Sequence, residues 1–279
     1  MTKTGPDLAE RAAKKSTMVV EGAELLIEGD RAHTVVMLHG WPDTLRLWDG
    51  TVQALAPSMR CVRFTLPGFG APQDGPVVRL DGMIQHLLAI VDAVSPVQPV
   101  TLLLHDWGCI FGYELATRHP KRVARLVAVD VGDHNSRAYL RALTAKQKMS
   151  ILLYQLFLAK AWVIGRFVNQ ALANGMMRWM AKLLRCPTPP SKIGWQMSYP
   201  YAMAWLKLGG GLPTQPVQLQ CPVLYLYGKR KPFMFHSPDW LQALGSAPGS
   251  AAYGLAAGHW VMVDQPQPFN AHVLQWLAV

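Results

Sequence analysis

Charged side chains are scarce in this sequence, and acidic ones are the scarcest. Only 16% of the 279 residues are Asp, Glu, Lys or Arg, while 51% are apolar. This composition argues against disorder and is sufficient for one sizeable core, and α/β folds often reach this length as one domain. Lys and Arg number 27 against 17 Asp and Glu, a net charge of +10. We interpret the excess as a solvated basic surface and expect no nucleic-acid partner, while a peripheral membrane contact stays open.

Cysteine is also rare, and no CxxC pair occurs, so we expect free thiols in a reducing compartment. The four are Cys61, Cys109, Cys186 and Cys221. The N-terminal residues do not resemble a signal peptide. The longest apolar run, residues 151–165, is interrupted by Gln155 and Lys160 and predicts a buried or interfacial helix rather than a membrane span. We therefore expect a cytoplasmic protein without a metal or cofactor, and leave its oligomeric state open.

Short apolar runs alternate with helical patterns over most of the chain. The predicted strands are residues 18–27, 34–38, 61–66, 100–104, 126–131, 222–227 and 251–255. This alternation predicts an α/β fold, a mostly parallel sheet covered by helices on both faces. Residues 134–213 differ, because they are helical in pattern and rich in Leu, Met, Trp and Tyr. We predict a tail over 1–16, a core over 17–133 and 214–279, and a helical lid over 134–213 above the carboxyl ends of the strands.

The most informative motif is the turn His105-Asp106-Trp107-Gly108, which follows an apolar strand and precedes a helical pattern. Such a strand-to-helix turn pushes its central side chain out of the sheet and directs backbone N–H groups towards it. A Ser at this position would be the nucleophile of an acyl transfer, whereas a carboxylate attacks an electrophilic sp³ carbon. The motif therefore predicts Asp106 as a nucleophile.

Three motifs in order along the chain resemble the α/β-hydrolase family. They are His39-Gly40-Trp41-Pro42, the turn around Asp106, and His259 near the C-terminus. An Asp nucleophile between His and Trp is similar to the epoxide hydrolase branch, with the haloalkane dehalogenases next. This resemblance implies an α/β-hydrolase fold, an alkyl-enzyme ester on Asp106, and His259 as the base that activates water. We expect the backbone N–H groups of Trp41 and Trp107 to form the oxyanion hole.

The sequence departs from the family pattern at the acid of the triad. The usual Gly-x-x-Asp-Pro segment is replaced here by Gly228-Lys229-Arg230-Lys231-Pro232, which puts a cation where the acid belongs. Some dehalogenase-like relatives carry the acid one strand earlier. We therefore predict Asp130 as the acid that orients His259, with Asp133 as the alternative. A third interpretation is that the acid is absent.

The residues around the nucleophile resemble two different chemistries. Trp107 fits a halide donor, whereas Trp41 in His-Gly-Trp-Pro is similar to epoxide hydrolases. An epoxide needs an acid for its developing alkoxide, and tyrosines from the lid suit this task. The resemblance implies that Tyr154 is the first of these acids and Tyr201 the second, with Tyr199 as the alternative to Tyr201. We expect Tyr199, Trp41 and Trp107 to contact the substrate.

These features predict an epoxide hydrolase that opens a hydrophobic epoxide to a diol. The aromatic and Met-rich lid predicts an apolar, adaptable pocket for a small hydrophobic substrate. One alternative is a haloalkane dehalogenase with Trp107 and Trp41 as halide donors. The other is an inactive or repurposed member that binds a ligand.

Overall fold

A computed structural model describes residues 14–70, 79–218 and 220–278. Its strands are β1 (Lys15–Val20), β2 (Ala23–Glu28), β3 (Thr34–Leu38), β4 (Arg60–Phe64), β5 (Val100–His105), β6 (Val123–Val129), β7 (Val223–Gly228) and β8 (Ala251–Leu255). Its α-helices are α1 (Asp49–Leu55), α2 (Leu80–Val94), α3 (Trp107–Arg118), α4 (Arg137–Ala142), α5 (Ala145–Phe167), α6 (Gln170–Leu183), α7 (Tyr199–Leu206), α8 (Pro238–Ser246), α9 (Val261–Asp264) and α10 (Pro266–Leu277).

In these described ranges the strands form one eight-stranded sheet in the order β1-β2-β4-β3-β5-β6-β7-β8. The strands from β3 to β8 run parallel, and β1 and β2 add an antiparallel edge. The central strands are nearly continuous apolar runs because helices cover both of their faces. The predicted fold class is confirmed.

The first edge of the sheet differs from the prediction of one strand over residues 18–27. A hairpin lies there, because Glu21 and Gly22 both adopt positive φ angles, +45° and +81°, and reverse the chain between β1 and β2. Two consecutive residues with positive φ are the requirement of the tight hairpin turn. The predicted tail is also shorter than expected, since Lys15 and Ser16 already belong to β1. Its residues 1–13 lie outside the described part.

Two apolar clusters hold the layers together. On one face of the sheet, α2, α3 and α8 bury side chains such as Met83, Phe111 and Trp240. On the other face, α1, α9 and α10 bury side chains such as Val52 and Phe269. The sheet is thereby fixed from both sides, and its loops at the carboxyl ends of the strands become a rigid platform.

The segment between β6 and β7 is helical, and we call residues 134–213 the cap. It contains α4 to α7, of which α5 is the longest, with 23 residues. A capping box starts α5. The Thr144 hydroxyl accepts a hydrogen bond from the backbone N–H of Gln147, and the Gln147 side-chain oxygen accepts one from the backbone N–H of Thr144. Whether the cap is a domain with the predicted boundaries remains a prediction.

Candidate active site

Asp106 occupies the sharp turn between β5 and α3. Its φ of +52° and ψ of −120° lie outside the regions that non-glycine residues favour, so the surrounding packing holds the turn. A Cβ at Gly40 would lie 2.5 Å from the backbone nitrogen of Trp107, and one at Gly108 would lie 2.6 Å from the carbonyl oxygen of His39. Glycine is therefore required at both positions for β3 and the turn to approach.

Two backbone N–H groups converge on the Asp106 carboxylate. The N–H of Trp41 donates to Oδ1 over 2.6 Å, and the N–H of Trp107 also hydrogen-bonds to the carboxyl group. Both tryptophans were predicted from the sequence to line an oxyanion hole, and the structure brings their N–H groups together. Donors fixed in this way stabilise an oxyanion without having to reorganise.

His259 lies between two carboxylates at the carboxyl ends of three strands. Its Nε2 is 3.4 Å from Oδ2 of Asp106, and its Nδ1 is 2.5 Å from Oδ2 of Asp130. Asp130 follows β6 directly and adopts a φ of +69°. The arrangement joins the predicted nucleophile, the predicted base and the predicted orienting acid in the geometry that a catalytic triad requires.

The alternative acid, Asp133, is engaged elsewhere. Its carboxylate accepts from the backbone N–H of Ser237 over 2.7 Å and from the hydroxyl groups of Ser237 and Ser136. These bonds tie the loop after β6 to the start of α8. The structure therefore does not bring Asp133 to His259.

Lys231 donates to the same carboxylate that orients His259. Its ammonium group bonds to Oδ1 of Asp130, which also accepts from the backbone N–H of Gly228 over 3.0 Å. The Lys231 side chain is only 7% exposed, so this is a buried ion pair. The cation that replaces the usual acid thus holds the displaced acid in position, a role that the sequence did not predict.

Burial and mutual attraction set the charges in the site. Burial opposes the ionised form of Asp106 and of Asp130, but His259 beside both, and Lys231 beside Asp130, hold the pKa of each carboxyl below its usual range. Burial also opposes a charge on His259, but its hydrogen bonds to the two carboxylates raise the pKa of His259 to about 9. In the free protein Asp106 is therefore an anion paired with the imidazolium of His259.

Two further side chains support this constellation. Nε2 of His105 lies 3.1 Å from the backbone oxygen of His259, and its burial lowers the pKa of His105 to about 3, so a neutral ring donates this bond. Asp43 is fully buried and accepts from Nε1 of Trp260 over 2.8 Å and from the hydroxyl of Thr188 over 2.5 Å. Burial raises the pKa of Asp43 to about 6. Asp43 directly follows the motif His39-Gly40-Trp41-Pro42, and no other feature of the sequence pointed to a place for Asp43 beside the site.

A cavity of about 330 Å³ lies next to Asp106. Asp106, Trp107, Tyr154 and Tyr201 line it together with apolar side chains from the cap. The rings of Tyr201 and Trp107 meet edge to face at 5.1 Å, and those of Tyr201 and Tyr154 at 6.3 Å. Burial raises the pKa of both tyrosines, so both hydroxyl groups keep their protons near neutral pH.

Gln155 gives Tyr154 its orientation. The side-chain NH₂ of Gln155 donates to the Tyr154 hydroxyl over 3.2 Å, while its oxygen accepts from Nε1 of Trp205 on α7 over 2.8 Å. The hydroxyl oxygen is thus occupied as an acceptor and its proton stays free for another group. The sequence pattern gives no signal for this role of Gln155.

Tyr199 does not line the cavity, contrary to the expectation that it contacts the substrate. Its ring packs edge-on against Phe69 at 5.6 Å and lies against Gly68, where a Cβ would approach it to 2.7 Å. Its hydroxyl is buried without a hydrogen-bond partner among the described residues. Residues two apart on a helix point in opposite directions, so the helix that directs Tyr201 into the cavity directs Tyr199 away from it.

Comparison with known proteins identifies the family. The family model for the alpha/beta hydrolase fold matches residues 33–205, which is more than half of the sequence, and the chain belongs to this family. Within the described residues, no cluster of three or more His, Cys, Asp or Glu is arranged to hold a metal ion. The coarser prediction, a hydrolase of this fold, is confirmed.

Individual relatives are more distant. The chain is 24% identical over 270 residues to "Epoxide hydrolase 2" of Caenorhabditis elegans, which covers 87% of this chain and 73% of that protein. It is 36% identical over 88 residues to "Probable oxidoreductase EphD" of Mycobacterium tuberculosis, but this match spans only 15% of that protein. Among solved structures, an inhibitor complex of Bacillus megaterium epoxide hydrolase superposes with a TM-score of 0.70 at 19% identity over 95% of this chain and 100% of that chain.

Proposed function

We propose that this protein is an epoxide hydrolase for hydrophobic epoxides. The observation that carries the proposal is that Tyr154 and Tyr201 line the same cavity as Asp106, which lies within reach of His259. Protonated hydroxyls are suited to a developing alkoxide, whereas a halide leaving group needs no proton. The similarity to proteins named epoxide hydrolase adds support.

In the proposed first step, an Asp106 oxygen attacks an epoxide carbon and the carbon–oxygen bond of the ring breaks. Tyr154 or Tyr201 gives its proton to the leaving alkoxide, so that an alkyl ester and a free hydroxyl group result. Before the second step, the imidazolium proton of His259 passes by way of solvent to the tyrosinate, which leaves a neutral imidazole. His259 then takes a proton from water, and the hydroxide attacks the carbonyl carbon of the ester. The N–H groups of Trp41 and Trp107 hold the oxyanion until the ester carbon–oxygen bond breaks, and the departing alkoxide takes the hydroxyl proton of the intermediate, so that the diol leaves and Asp106 is again a carboxylate.

A single turnover in heavy-oxygen water tests the covalent mechanism. Water attacks the ester carbonyl, so one heavy oxygen should enter the peptide that contains Asp106, while the first diol released stays light. Mass spectrometry of the digested protein, after reaction with excess protein over an apolar epoxide such as styrene oxide, measures both. Asp106→Asn should abolish turnover. A light Asp106 peptide beside a heavy diol would mean direct attack of water and overturn the proposal.

The two lid tyrosines are tested against Tyr199, which is a matched control on the same helix as Tyr201. Tyr201→Phe and Tyr154→Phe should each lower kcat for epoxide opening by about ten- to a hundredfold, because general acids contribute on this scale or above. Tyr199→Phe removes a buried hydroxyl that has no partner among the described residues, so activity should stay near that of the parent. Equal losses in Tyr199→Phe and Tyr201→Phe would contradict the assignment.

A dehalogenase is the second candidate, favoured by one observation. Nε1 of Trp41 is buried without a hydrogen-bond partner among the described residues and is therefore a free donor near the nucleophile. A halide could accept from it and from Trp107. Halide release from a bromoalkane of matching carbon skeleton, without turnover of the epoxide, would favour this function over the first.

A further inference from the structure

The outer side of α5 exposes apolar side chains where a soluble helix usually carries polar ones. Met149, Leu153 and Phe167 are exposed by 53%, 60% and 73%. Their spacing of four and then fourteen residues keeps them on one side of the helix. The opposite side, with Leu158 and Trp162, is buried in the cap. The helix therefore carries apolar residues on both sides, and only one side has a protein partner among the described residues.

The neighbouring helix α6 continues this surface. Leu172, Trp179 and Leu183 follow one another at intervals of seven and four residues, and each is more than half exposed. The rings of Trp179 and Phe157 lie 5.4 Å apart, which places the exposed sides of α5 and α6 next to each other. We call the six residues Met149, Leu153, Phe167, Leu172, Trp179 and Leu183 the cap apolar face.

The charge of the cap has a single sign. Residues 134–213 contain eleven Lys and Arg and neither Asp nor Glu. The other 16 basic residues of the chain are balanced by all 17 acidic ones, so the cap accounts for the whole positive charge. Arg178 and Lys182 are exposed on α6 between and beside the apolar residues, and Lys160 is exposed on α5. The cap thus combines an exposed apolar surface with unbalanced cations.

We propose that the cap apolar face docks onto an anionic lipid membrane. Apolar side chains enter the boundary of the acyl chains while the surrounding Lys and Arg attract the lipid phosphates, as in interfacial amphipathic helices. Exposed apolar residues in such number mark an interaction surface rather than ordinary surface composition. The length and composition of α5 alone would allow a membrane span, but its buried side packs within the cap, and the helix therefore lies along the surface.

Charge disfavours the other partners of this surface. A second copy of the chain would bring eleven further cations and no acid from its cap, so the two faces would repel each other. Nucleic acid would pair with the cations but would leave the Leu, Phe and Trp side chains in water. A membrane with anionic headgroups matches both components at once.

The cavity is lined by the side of α5 that points away from this face. Ile151, Tyr154 and Gln155 line the cavity, and each lies about 100° or more around the helix from Leu153. The docking itself rests on the exposed residues and charges alone and does not depend on the proposed chemistry.

Vesicle flotation with the full chain tests the proposal. We expect the protein to float with vesicles of phosphatidylcholine containing one third phosphatidylglycerol, and at least tenfold less with phosphatidylcholine alone, at about 0.1 M salt. Arg178→Glu with Lys182→Glu should weaken binding at least tenfold. Lys14→Glu with Lys121→Glu changes the net charge equally at exposed positions outside the cap and should weaken binding less than twofold. Equal weakening by both pairs, or no flotation of the parent, would overturn the proposal.

An apolar pair supplies an independent measurement. Leu172→Gln with Leu183→Gln should also weaken binding at least tenfold, whereas Val19→Gln with Val97→Gln, at even more exposed positions of the core, should leave it unchanged. Light scattering after size-exclusion chromatography gives the mass of each variant in solution. If the parent has twice the mass of 30.9 kDa and Leu172→Gln with Leu183→Gln is a monomer, a second copy covers this face and the proposal is overturned. Release of the protein from the vesicles by an equimolar amount of duplex DNA would also overturn it.

Discussion

Lys231 and His259 share the carboxylate of Asp130, and this sharing affects the charge of His259. In the free protein Lys231, Asp130, His259 and Asp106 form a row of alternating charge. In the proposed mechanism, esterification of Asp106 removes the last negative charge of the row. His259 then keeps one carboxylate, which Lys231 already neutralises, and its proton affinity falls. The ester intermediate would thereby create the neutral imidazole that its own hydrolysis needs.

Replacement of Lys231 by Met tests this at the residue scale. Without the cation, Asp130 stabilises the imidazolium more strongly, so His259 should stay protonated to higher pH. The acid limb of the pH profile for ester hydrolysis should move upwards by about one pH unit, because a nearby unit charge has an effect of this order. Presteady-state kinetics over pH measures it. Lys229→Met, an exposed neighbour, is the control, and coincident profiles would contradict the role of Lys231.

The elements around the site meet through close backbone contacts and one buried carboxylate. The end of β7 approaches the loop that carries His259, since a Cβ at Gly228 would lie 2.6 Å from the carbonyl oxygen of Ala257. From the other side, Thr188 ties the cap to Asp43 in the loop after β3. The position of His259 thus depends on contacts between elements that are distant in sequence.

Gly228→Ala should displace the His259 loop. We expect the free energy of unfolding to fall by about 1–3 kcal/mol, as for other overpacked sites, together with a loss of kcat. Gly82→Ala in α2 is the matched control, because a Cβ added there would meet nothing within 4 Å, and it should raise stability by about 0.5–1 kcal/mol. Urea unfolding compares the two variants. An unchanged free energy of unfolding in Gly228→Ala would contradict this prediction, because the backbone around the added Cβ would then relax without cost.

Thr188→Val should destabilise the protein in a pH-dependent way. The pKa of Asp43 is about 6, above its ordinary 3.8. Ionisation of the buried carboxyl therefore lowers the free energy of unfolding as the pH rises from about 4 to 6. The hydrogen bond from the Thr188 hydroxyl offsets part of this cost, and only when Asp43 is ionised. The loss should be about 1.5–3 kcal/mol at pH 8 and smaller at pH 5. Thr17→Val on exposed β1 is the control, and a loss independent of pH would exclude this explanation.

The limits of prediction from sequence are visible in particular elements. The strands and the turn at Asp106 were predictable because apolar runs and motif order are local signals. The hairpin at Glu21 and Gly22 was missed because β1 is exposed and its alternation is weak. The choice between Tyr199 and Tyr201 depends on the rotation of α7, which distant packing against Phe69 fixes. Lys231 gave a signal only as a departure, since its partner is far away in the sequence.

At the scale of the whole molecule, four histidines make the free energy of unfolding fall as the pH decreases. Burial lowers the pKa of His39, His134 and His236 to about 4 and that of His105 to about 3, from 6.5. The unfolded chain therefore binds more protons below pH 6.5, and stability falls as the pH decreases. The pKa of His259 is raised to about 9, so its contribution is complete below 6.5 and does not offset this loss.

Each of these histidines should remove about 1.4 kcal/mol of stability per pH unit below 6.5. Together the four should remove about 5.5 kcal/mol per unit, and below pH 6 the protonation of buried Asp43 offsets about 1.4 kcal/mol per unit of this. The net loss of about 4 kcal/mol per unit exceeds the reserve of a typical domain within two or three units. Urea unfolding at pH 7, 6 and 5 measures the slope, and His236→Gln should reduce it by about one third. A flat profile between pH 7 and 5 would contradict the burial of neutral rings.

The uneven charge of the cap also makes the protein an electric dipole. Its positive end is the cap, whereas the remainder is nearly neutral. In the proposed docking onto an anionic surface, such a dipole would experience a torque before any contact forms, and the cap would turn to face the lipid while the protein is still diffusing. Orientation would thus be completed during the encounter, so that salt slows association, while the apolar side chains determine how long the protein stays.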